Sequence, residues 1–114
     1  MATTINGVDF DKAATDALAA AKAVLTSDWS KVEDIVKNIA QSMVNDAVFL
    51  EKKKLSGEYN ENDAKVFMED QKTVARIRLR SVAIVTLQLA ERILNAISDV
   101  FRTAINKAIG WTVL

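Results

Sequence analysis

The chain has 114 residues, half of them hydrophobic and about a quarter charged, and its 15 basic and 15 acidic side chains balance to zero. That composition excludes a disordered chain, and the zero net charge gives no global field to attract nucleic acid or an anionic membrane. Histidine and cysteine are both absent, which removes the commonest general base and metal ligand together with disulfides and thiolate chemistry.

The length suits a single domain spanning residues 1–114 with a real core. There is no proline and only three glycines, Gly7, Gly57 and Gly110, so turns are few and elements long. The Ala/Lys/Leu/Glu-rich local sequence favours helix. The opening "MATTINGVDFDK" has neither a basic start nor an apolar run, and no stretch of about 20 residues is free of charge. A cytoplasmic protein with no spanning helix is therefore expected.

In chain order, residues 1–8 read as a frayed leader and Asp9 as an N-cap. Apolar and alanine positions 10, 14, 17, 18, 21, 24 and 25 follow helical spacing and predict a first helix over about 10–25. Its stripe is mostly alanine, which permits close helix approach. "TSDWSKVED" is the first break, where Ser27 or Asp28 could cap the next helix and Ser30 with Glu33 fits a capping box. Trp29, Val32, Val36, Ile39, Met43 and Leu50 then form a stripe, with Ala47 alongside, whose steps of three and four resemble a coiled-coil seam. This predicts a second helix over about 29–55, stopped at Gly57.

Asn60 or Asn62 can cap a third helix, and no glycine or proline occurs from there to Gly110. A continuous helix over about 63–109 would be roughly 70 Å long, whereas a compact domain of this length has a radius of gyration of only about 13 Å. Either the helix breaks near Arg80–Ser81, giving a four-helix bundle, or helices 1 and 2, together about 65 Å, lie along it. The near-match in length and the missing breaker favour the continuous form. The expected fold is thus all-α, an antiparallel bundle of three long helices, or four if the last one breaks.

The stretch "RIRLRSVAIVTLQL" (76–89) also alternates like a strand, but no other segment offers it a strand partner, and helical spacing continues on both sides of it. As a helix, "VAIVTLQLA" (82–90) is apolar nearly all round and would need protein on every side. At about 13 Å it is too short to cross a bilayer. The predicted cover is a second copy of the chain, contacting Val82, Ile84, Val85, Leu89, Ile93, Ile97 and Phe101.

No cofactor, metal or catalytic constellation is expected. Adjacent carboxylates such as Glu33/Asp34 and Glu69/Asp70 diverge on a helix and do not share a site. "YNENDA" (59–64) lacks calcium-loop spacing and reads as a cap and turn. Lys72, Arg76 and Arg80 form a basic ridge that could contact an anion, but with no interleaved aromatics it gives no nucleic-acid signature. The sequence therefore points to a non-enzymatic assembly or adaptor protein, a homo-oligomer acting through protein–protein contacts. The alternative is a peripheral lipid-binding protein laying its amphipathic C-terminal segment, with Trp111, on a membrane surface.

Overall fold

In a computed structural model, which describes residues 3–25 and 27–114, the chain forms four helices packed against one another. A short hairpin, β1 (Thr4–Ile5) and β2 (Val8–Asp9), leads directly into α1 (Phe10–Val24), followed by α2 (Trp29–Leu55), α3 (Glu61–Arg80) and α4 (Leu87–Ile109). The all-α antiparallel bundle is the fold the periodicity predicted.

The described part of the leader is not frayed. Asn6 (φ 48°) and Gly7 (φ 82°) make a tight turn that pairs Thr4 with Asp9 and Ile5 with Val8. Asn-Gly between two β-branched residues is the local signal for such a hairpin. The Asn6 side chain also donates to the Ala108 carbonyl (2.7 Å), tying the hairpin to the end of α4. At the start of α1, Asp9 Oδ1 accepts the backbone N–H groups of Asp11 and Lys12, as its N-cap reading required.

In α1 the buried residues after Phe10 are Ala13, Ala17 and Ala21, one per turn. Alanine at that spacing lets α1 approach α4, its main neighbour, closely. The helix α2 runs over the predicted 29–55, but the Ser30–Glu33 box does not form. Asp28 is the N-cap, without a side-chain bond. Thr26, within the predicted break, lies outside the described residues. Antiparallel packing of α2 and α3 follows from their cross-contacts. Phe49 stacks on Phe67, Asp46 accepts from Gln71, and Ser42 and Asn38 accept from Arg78, so partners descend on one helix as they ascend on the other. Asn60 and Asp63 close the reciprocal capping box that starts α3.

The continuous third helix is corrected. It ends at Arg80, and residues 81–86 form a turn before α4 begins at Leu87. The radius of gyration is 14.0 Å, so compactness prevails over the missing breaker. Ser81 Oγ donates to the Arg78 carbonyl, and Thr86 Oγ1 accepts from Leu89 N (3.1 Å) as N-cap of α4. Folding back lets α4 bury Ile93, Leu94, Ile97, Phe101, Ile105 and Ile109 at 0–1% exposure, each contributing roughly 1.5–3 kcal/mol by area. Gly110 (φ 81°) ends the helix, and the tail tucks back: Val113 is buried, and Asn106 Oδ1 receives the N–H groups of Val113 and Leu114.

Candidate functional site

The break at Ser81 redistributes the predicted interface. Val82, Ile84 and Val85 lie in the turn, not on a helix, so the belt that was to be apolar all round does not exist as one. Val85 is buried, while Val82, Ile84 and Leu89 are half-buried against the core. Ile93, Ile97 and Phe101 are 0% exposed inside the chain's own bundle. As an interface these three are corrected: a second copy cannot touch them without opening the fold. The same packing bears on the amphipathic C-terminal segment. The apolar face of α4 is turned inward, and Trp111 sits over Lys54, whose Nζ is 4.9 Å from the ring centroid and donates to the Ile109 carbonyl. Membrane contact through that face would require the bundle to open.

The basic ridge is only partly free. Arg76 is committed to a two-point ion pair with Glu91, joining Nε to Oε1 and Nη2 to Oε2 and locking α3 to α4. Lys72 is half-buried, and Arg80 is exposed at the end of α3, with no ion-pair partner among the described residues. An anion would therefore meet Arg80 first, with Arg76 already neutralised.

Aliphatic side chains remain open to solvent on α2, at Leu55 (78%) and Val48 (47%), and along the outer face of α3. Its inner face carries Ala64, Met68, Ala75 and Leu79. On the opposite side, at helical spacing of four, three and four, stand Val66, Asp70, Thr73 and Ile77, all exposed. Val66 is 49% and Ile77 65% exposed, with Val74 (39%) beside them and Leu87 (50%) at the start of α4. Sequence reasoning passed over Val66 and Ile77. The signal was available, since a second three–four stripe runs opposite the first along α3.

At the α2–α3 turn this face opens into a cleft of about 400 Å³ lined by Glu58, Tyr59, Asp63, Val66, Phe67 and Asp70. Its floor is aromatic: Phe67 stacks on Phe49 at 4.8 Å, and Tyr59 meets Phe49 edge-on at 5.8 Å. Lys53 caps the cluster from outside, 5.4 Å from the Phe49 ring centroid and 2.8 Å from Glu58. That ion pair and the Ser56 hydroxyl hold the Glu58 carboxyl below its ordinary value. The cleft combines apolar floor and acidic rim, suited to an aliphatic side chain with a cation next to it.

Among the described residues, no three metal-type side chains converge, and no helix is long and apolar enough to cross a membrane. Comparison with protein-family models, with curated proteins and with solved structures finds no match.

Proposed function

We propose that this is a non-enzymatic assembly or adaptor protein of the cytoplasm, working through self-association and protein–protein contacts. The observation that carries the reading is the aliphatic exposure gathered on the outer face of α3 and the start of α4, at Val66, Val74, Ile77 and Leu87. Leu55 (78%) and Val48 (47%), seven residues apart on α2, are exposed as well; the α3 set is the larger, and exposed apolar surface is where proteins meet one another. The surface moves from the predicted 82–101 segment to α3 because the deeper residues of that segment are consumed by the fold itself.

Absolute mass by light scattering over a wide concentration range tests this. The expected result is a mass rising above the 12.5 kDa of one chain as concentration increases. A constant 12.5 kDa at the highest concentration would remove self-association. Lipid binding through the C-terminal segment gains no support from the packing of α4.

A further inference from the structure

The helix α3 is polarised in charge along its length. Its first half, 61–70, carries Glu61, Asp63, Glu69 and Asp70 against Lys65 alone. Its second half, 71–80, carries Lys72, Arg76, Arg78 and Arg80 and no acid. Arg76 is engaged by Glu91 and Arg78 by Asn38 and Ser42 of α2, so what a second copy laid antiparallel along the same face would bring together is the exposed Arg80 at one end and the exposed Asp63 and Asp70 at the other, at both ends by the two-fold symmetry of an isologous contact. We propose that the outer face of α3 is the homodimer surface, with two α3 helices packed antiparallel about a dyad between Asp70 and Thr73. The proposal rests on the self-association reading above and adds its face, direction and register.

The register follows from the stripe. Pairing about that dyad sets Val66 against Ile77 of the partner subunit and Asp70 against Thr73 of the partner subunit. The second pair is a hydrogen-bonding polar layer, the kind of contact that fixes register in helix pairs. The same alignment carries Arg80 of the partner subunit to the level of Asp63. The cleft of Glu58, Tyr59, Asp63, Val66, Phe67 and Asp70 thus receives an aliphatic side chain and a guanidinium together. Ile77, the more exposed of the two stripe aliphatics at 65%, becomes the knob and the cleft the hole. Arg80, without an ion partner among the described residues of its own chain, gains one. A single helix of 20 residues is about 30 Å long, so the contact falls at the small, transient end of interface sizes and the dimer should be concentration-dependent.

Complementary variants test face and register together. In Ile77→Asp a carboxylate enters the acidic cleft, and in Val66→Arg a guanidinium lies near Arg80 of the partner subunit. Both positions are exposed, so far-UV circular dichroism and melting should match the wild type. Each variant alone should raise the dimer Kd roughly tenfold or more. An equimolar mixture should recover dimer mass, because the heterodimer pairs Arg at 66 with Asp at 77 on one side and keeps the native Val66–Ile77 pair on the other. Variants that associate like an associating wild type would overturn the α3 face while leaving self-association standing. Variants that stay monomeric even when mixed would overturn the antiparallel register. A wild type fixed at monomer mass would overturn both readings. If that monomer also sediments with anionic phospholipid vesicles, the basic half belongs to a lipid surface instead.

Discussion

Asp46 lies 6% exposed in the seam between α2 and α3. Its Oδ1 accepts the Gln71 amide at 2.7 Å, and its Oδ2 has no hydrogen-bond partner among the described residues. Burial pushes its carboxyl up from the ordinary value, opposed by the Gln71 hydrogen bond and by the positive charge of Arg78. Arg78 itself is spent on Asn38 and Ser42. The consequence for stability has a definite sign. The folded chain holds this proton more tightly than the unfolded chain, so stability falls as pH rises from the ordinary aspartate value, about 3.9, through the raised folded value. Asp46→Asn should stabilise the protein at neutral pH and flatten that slope, as thermal melts across pH would show. An unchanged slope would place Asp46 in contact with water. The sequence held this position in view: Asp46 stands three residues after Met43 and four before Leu50, on the apolar stripe of α2 itself. Reading the stripe by its apolar members alone passed over the acid interrupting it.

At the scale of elements, the informative segment is 81–86, where a helix stops without glycine or proline. Ser81 turns its hydroxyl back onto the Arg78 carbonyl, and Thr86 caps the helix that follows. Thr86→Ala should cost about 1 kcal/mol by loss of the cap, measurable as a lower midpoint in urea with an unchanged slope. No loss would mean that packing of Leu89 and Ala90 alone sets where α4 begins. Most of the helices were legible in the sequence: α2 lies over the residues its stripe marked, and Asn60 and Asp9 cap where expected. The break was legible only through length, because a helix of about 70 Å cannot sit in so small a domain. The local signals at Ser81 and Thr86 are individually weak, and Val82, Ile84 and Val85 continue helical spacing while sitting in a turn. The hairpin was missed for a different reason. Asn6-Gly7 is a strong turn signal, but its strands are two residues each, too short for alternation to register.

For the whole molecule, the central question was which apolar surface the chain covers by itself. Periodicity cannot answer it, since a residue buried by its own chain and one buried by a neighbour obey the same spacing. Ile93, Ile97 and Phe101 belong to the first kind, and only the packed bundle reveals this. Val66 and Ile77 are left outside, on a helix acidic at one end and basic at the other. The candidate site therefore emerged where the second, outward stripe of α3 meets the charge polarity of the same helix. The chain has no cysteine, so a single Thr73→Cys change on this exposed face gives one attachment point for a nitroxide, close to the proposed dyad. Dipolar electron paramagnetic resonance on that labelled protein at high concentration is the most direct test. Packed helices lie about 8–10 Å apart, so the account predicts strong coupling between the two labels, at roughly 20 Å or less. Spins that remain magnetically isolated at every concentration would contradict it.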